Sequence, residues 1–160
     1  MSNKPNRIYW DSTAFLGYLS KHRGEPKVIC EDIMQHAREG KVDLFTSNYT
    51  ITEVIRPQNP GFLGARPLSP DQIAEMNAMF QWPWIKKVDL DMRVVRKAIE
   101  LANEYNLYAA DSIHAASAIV AQADVIQHWD RKSGFGNLSR LIPVENPRML
   151  SYNVASIGAA

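Results

Sequence analysis

Short apolar runs, each closed by polar residues and each set apart by a helix-patterned stretch, constrain this chain more than any other feature. The first is "RIYW" (7–10), ended by Asp11. "VDLFTS" (42–47), "WIKKVDL" (84–90) and "ADVIQHW" (123–129) follow. "RLIPVE" (140–145) closes the series, and its Pro143 marks an edge strand. Runs this short, bounded by turn residues, read as strands. Strands alternating with helices predict a parallel sheet covered on both faces.

The helical stretches carry their own punctuation. "STAFLGYLS" (12–20) has Ser12 as a candidate N-cap. In "PKVICEDIMQHAREG" (26–40), Ile29, Ile33 and Ala37 share one face, with Pro26 near the start and Gly40 past the end. Ser47 caps "NYTITEVIR" (48–56), and Pro57 stops it. A Pro/Gly-rich loop fills 57–68. "SPDQ" (69–72) is a capping box with Pro70 at the first helical position, and it starts a helix to Gln81. Asp91 caps a helix in which Val94, Val95, Ala98, Leu101, Ala102 and Tyr105 form one apolar side. "YAADSIHAASAI" (108–119) begins another helix, Ala-rich and apolar on one side, yet with Asp111 in its first turn and His114 one turn on.

At 160 residues the chain is expected to form one domain over 1–160, with room for a real core. The formal charge of +1 gives no bulk basic signal, so any nucleic-acid binding must rest on a local patch. Cys30 is the only cysteine, which excludes a disulfide framework and a cysteine zinc site and suits a reducing cytosol. No apolar run has the length of a membrane span. "MSNKPNR" has no apolar stretch after its charges, so no signal peptide is expected.

Ligand sites in open parallel sheets lie beyond the carboxyl ends of the strands, where the strand order reverses. That rule sorts the acids. Asp11 follows the first strand and Asp130 the fourth. Glu53 is in the second turn of the helix after the second strand. Asp111 starts the helix that leads into the fourth. Gathered at one end of the sheet, several carboxylates cannot all stay ionised without compensation. Magnesium or manganese, which prefer oxygen ligands, are the natural partners, and a hard cation held by carboxylates most often handles phosphate. Without a cysteine cluster or a close histidine pair, zinc is the weaker choice.

Four pieces of the chain carry a resemblance: "YWDSTAFLGYL" (9–19), "TSNYTITEVIR" (46–56), "YAADSIHAASAI" (108–119) and "VIQHWDRKSGFGNL" (125–138). In order and spacing they resemble PIN-domain proteins, and most of all the VapC-type toxin ribonucleases. The resemblance implies a three-layer α/β/α fold with a mostly parallel, roughly five-stranded sheet. It implies an endoribonuclease in which a metal-activated water attacks an RNA phosphate, using one or two magnesium or manganese ions. The family's catalytic and metal-binding acids fall on Asp11, Glu53, Asp111 and Asp130, with Ser12 or Thr13 as polar support. It also implies a cytoplasmic toxin, a small antitoxin partner and a homodimer.

The fourth piece departs from the family. His128 and Trp129 stand where a Thr or Ser and a small or polar residue are usual, and Ser133 and Gly134 are inserted before Phe135. His114 reads as a satisfied core or supporting residue rather than a general base. Arg56, Arg66, Arg131 and Lys132 are candidate RNA contacts. Trp82 and Trp84 read as packing at the start of the third strand, as a dimer surface, or as a base-stacking pair. Two other classes fit parts of the pattern. One is a PIN-like module that binds RNA or protein without cutting. The other is a phosphatase with Asp after its first strand, but that class needs a second Asp where this chain has Thr13.

Overall fold

The computed structural model describes residues 6–20, 24–55 and 69–150. The 57–68 loop, Arg56 and Arg66 lie outside the described residues. The elements run β1 (Arg7–Trp10), α1 (Ser12–Leu19), α2 (Glu25–Arg38), β2 (Asp43–Ser47), α3 (Asn48–Ile55), α4 (Pro70–Phe80), β3 (Ile85–Val88), α5 (Met92–Tyr105), α6 (Ala109–Val120), β4 (Val125–Gln127) and β5 (Val144–Glu145). A 3₁₀ turn, Gly134–Leu138, links β4 to β5; nothing in the periodicity predicts it.

The five strands form one sheet in the order β3-β2-β1-β4-β5, and every neighbouring pair is parallel. Pro143 precedes the edge strand β5, where its missing N–H costs no ladder bond. Period-two alternation divides the strand residues between two cores. Ile8, Trp10, Leu44 and Val125 face α1, α2 and α4. Tyr9, Phe45 and Ile126 face α5, α6 and the 3₁₀ turn. These are the three layers.

The helix ends follow the local chemistry with one correction. The capping box at Ser69 and Gln72 forms, and Asp91 caps α5. The cap of α1, however, is Asp11 and not Ser12: Asp11 Oδ1 accepts from Ala14 N at 3.2 Å. β1 ends one residue before the acid, so Asp11 takes the extended backbone that a cap needs and Ser12 becomes the first helical residue.

Charges pin the amino ends of the strands. Arg7 and Lys86 both reach Asp43, tying the starts of β1, β2 and β3. Asp124 Oδ2 accepts from Asn6 N and Arg7 N at 2.9 Å each, fixing the approach to β4 against β1. Trp82 and Trp84 lie just before β3, also at the amino side. Their rings pack 5.2 Å apart, and both rest on the first core. With Tyr18, Glu31, Met34, Gln35 and Arg38 they line a cavity of about 370 Å³. The packing role expected of them holds, and they stand at the opposite end of the sheet from Asp11.

The Trp129 departure has a packing consequence. A Cβ built on Gly17 of α1 would lie 2.8 Å from Trp129 Nε1, 3.1 Å from its Cδ1 and 3.5 Å from Cys30 Sγ. Glycine inside a helix costs about 1 kcal/mol relative to alanine. Overpacking a filled site costs about 1–3 kcal/mol. Gly17→Ala is therefore expected to destabilise the protein in urea titrations, and to stabilise it once Trp129→Leu has removed the indole. Additive effects in that double-mutant cycle would show that the contact does not constrain α1.

Candidate active site

The sheet order reverses at β1, with β2 on one side and β4 on the other. The carboxyl end of β1 therefore opens at the switch point of the sheet, where no crossover helix covers it. Asp11 stands there. It is 4% exposed, and its Oδ1 accepts from Thr13 Oγ1 at 2.7 Å as well as from Ala14 N. Both bonds fall on one oxygen. Burial raises the Asp11 pKa, and the nearby His114 and His128 only partly oppose this. Burial thus disfavours Asp11 as an anion.

Glu53 reaches the same place from α3. Its Oε1 and His114 Nε2 are 2.5 Å apart, while His114 Nδ1 is hydrogen-bonded to the Tyr9 hydroxyl at 2.8 Å. His114 is 2% exposed. Burial works against its cation, but the hydrogen bond and charge of Glu53, with the charges of Asp11 and Asp111, raise its pKa above the ordinary imidazole value. The three acids thus converge on one imidazole. Asp111 comes from the first turn of α6, and its Oδ2 accepts from Gly134 N at 2.9 Å.

That last bond accounts for the inserted Ser133–Gly134. Ser133 caps the 3₁₀ turn, and Gly134 brings its backbone N–H onto Asp111. A Cβ on Gly134 would meet Leu107 Cδ2 at 3.0 Å and Asp111 Oδ2 at 3.4 Å, so a larger residue would press on the acid. The His128 ring packs edge-on against Phe135. Trp129 N donates to Thr13 Oγ1 at 2.8 Å, which joins the chain after β4 to the Asp11 cap. Thr13 thus supports Asp11, and half-buried Ser12 is the first residue of α1.

Asp130 follows β4 at the carboxyl end of the sheet. It is exposed, and its Oδ1 accepts from Lys132 N at 2.8 Å, closing its own turn. Arg131 and Lys132 are exposed beside it. Among the described residues, no three His, Cys, Asp or Glu side chains stand together as a ready cage for a metal ion. The donor chemistry nevertheless suits a hard cation: Asp11, Glu53 and Asp111 each engage one oxygen in the bonds above, and Asp11 is buried as a disfavoured anion. Burial pushes the Cys30 thiol up to about 12, so it offers no thiolate nucleophile.

Two aromatic residues of this region were not predicted. Tyr9 carries a hydroxyl into a fully buried strand, and a buried phenol generally needs a partner; that was the available signal. Tyr108 caps α6 one turn before Asp111 and is 86% exposed. Nothing in the pattern separates it from an ordinary cap residue.

Fold and site together define a parallel three-layer α/β domain with an acidic centre at its switch point. The chain belongs to the PIN-domain family, whose model matches residues 8–140. Among solved structures it is similar to a toxin–antitoxin complex from Klebsiella pneumoniae, with a TM-score of 0.60 and 14% identity over 89% of this chain and 99% of that one. It is also similar to VapC20 of Mycobacterium tuberculosis, a toxin that cleaves the sarcin–ricin loop, with a TM-score of 0.60 and 11% identity over 78% of this chain and 91% of that one. At such identities the likeness is one of fold. No curated protein sequence matches the chain. No helix among the described residues is long and apolar enough to cross a membrane.

Proposed function

We propose that this PIN domain is a metal-dependent endoribonuclease and the toxin of a toxin–antitoxin pair. The observation that carries the reading is the Glu53–His114 pair beside the switch point, whose imidazole also feels the charges of Asp11 and Asp111. These acids would hold magnesium or manganese, with Asp130 as an outer fourth acid. Such a cation, when bound, supplies charge neutralisation for a phosphodiester and makes water more acidic. Thr13 orients Asp11, and Gly134 N orients Asp111. Arg131 and Lys132 attract the RNA backbone toward a centre whose own charge repels it. No protein nucleophile is needed.

The direct test is cleavage of a structured RNA with manganese or magnesium. Activity lost on chelation and restored by either ion supports the reading, while full activity in excess chelator sinks it. The toxin role is tested by expression: growth arrest is expected in a host without a partner, with relief by a small protein encoded beside this one. Harmless expression counts against it. A two-fold dimer is expected by light scattering, and a monomer at high concentration removes that part.

Tyr108 gives a separate prediction. An aromatic ring this exposed beside Asp111 is suited to stack on an RNA base, an interaction of about 1–3 kcal/mol. In an Asp11→Asn background, Tyr108→Ala is expected to weaken RNA binding in fluorescence anisotropy by that amount. Unaltered affinity would leave Tyr108 as a cap residue only.

A second reading, a PIN module that binds without cutting, draws on the lack of a ready three-ligand cage among the described residues. Metal binding without cleavage of any RNA offered would favour it.

A further inference from the structure

We propose that Tyr9 and His114 form a clamp that positions the Glu53 carboxylate, which makes both of them positioning residues of the acidic centre. The proposal rests on the reading of Glu53 as a cation ligand. The contacts are continuous: Tyr9 hydroxyl to His114 Nδ1 at 2.8 Å, then His114 Nε2 to Glu53 Oε1 at 2.5 Å. An ionised carboxylate only accepts, so Nε2 carries the proton. The Tyr9 hydroxyl bonds the other ring nitrogen, Nδ1, and so fixes the plane of the ring. One phenol therefore orients the imidazole that donates to Glu53.

The clamp is rigid where Glu53 is not. Tyr9 is fully buried in β1, which is paired on both sides by β2 and β4. Tyr9, Tyr49 and Phe135 surround the His114 ring, with centroids at 5.9, 5.9 and 6.3 Å. Glu53 has a long side chain that is 26% exposed, on a helix of only 8 residues. Unclamped, it would sample several rotamers. The bond to His114 holds one oxygen and leaves the other to act as a ligand. Groups that orient a metal ligand in this way typically change metal affinity or activity by about 10- to 100-fold when removed.

The test measures manganese binding by electron paramagnetic resonance on full-length Tyr9→Phe, His114→Leu and His114→Gln, and RNA turnover across manganese concentrations. Tyr9→Phe and His114→Leu are expected to bind manganese about 10- to 100-fold more weakly, with half-activation moved to higher manganese by the same factor. Turnover at saturating manganese should change less. His114→Gln keeps an amide N–H for Glu53 and should recover part of the affinity. Unchanged binding in folded Tyr9→Phe and His114→Leu overturns the clamp, because the pair is then only core structure. Tighter binding overturns it as well, because the imidazole then competes with the ion. Glu53→Gln and Asp11→Asn serve as controls: if neither weakens manganese binding, the cation reading itself has failed and the clamp goes with it. If His114→Leu does not fold by circular dichroism, Tyr9→Phe, which keeps the ring, decides the matter.

Discussion

Asp11→Asn is expected to abolish RNA cleavage and, in the metal-free protein at neutral pH, to make the fold more stable. Asparagine keeps the oxygen that accepts from Thr13 and Ala14, and it caps helices as well as aspartate does. Only the charge is lost. A group that stabilises developing charge is typically worth about 100- to 1000-fold in turnover. The gain in stability comes from burial, which holds the Asp11 pKa above its unfolded value. The folded state then binds the proton more tightly than the unfolded chain. The contribution of Asp11 to wild-type stability is therefore fully present below about pH 4 and declines as pH rises through the raised Asp11 value. His114, whose pKa is also raised, adds a decline of the same sign above about pH 6.5. Asp11→Asn removes the first decline and should gain about 0.5–2 kcal/mol at neutral pH, with the gain vanishing in acid. Urea titrations with chelator at pH 4 and pH 7.5 give both points. A variant less stable at pH 7.5, or one that retains activity, contradicts this account of Asp11.

Asp111→Asn is the second large effect, and its force lies in comparison with two other acids. Its remaining oxygen can still accept from Gly134 N, so the turn after β4 should stay in place while turnover falls by about 100-fold or more. Asp130→Asn is expected to cost about 10-fold, since that carboxylate is exposed and closes its own turn. Asp124→Asn should leave turnover unchanged. Asp124 works at the amino end of the sheet, where it holds the backbone of Asn6 and Arg7, so only a modest loss of stability is expected. If Asp130→Asn is as damaging as Asp111→Asn, the outer acid turns inward in the working enzyme and the site has four equal members. If Asp111→Asn is as mild as Asp124→Asn, the centre has been misassigned.

What could be read from the chain alone was whatever neighbouring residues decide among themselves. Apolar runs of strand length, helical spacing and the capping box at Ser69 act within a few residues. The element order, the parallel sheet and the edge position of the strand after Pro143 followed from them. Asp11, Glu53 and Asp111 were legible because each lies next to an element end whose direction the alternation sets. Tertiary structure decided which groups meet. Tyr9 and His114 are 105 residues apart, and His114 and Glu53 are 61 apart. Those contacts exist because β1 is central and α6 crosses its face, which no local pattern encodes. The same holds for Trp129 against Gly17, and for Gly134 on Asp111. At Asp130 too the chain direction was legible but the side-chain contact was not: its Oδ1 takes the backbone N–H of Lys132. Side-chain direction at a strand end depends on the turn that follows, and that turn is held by partners the strand itself does not specify.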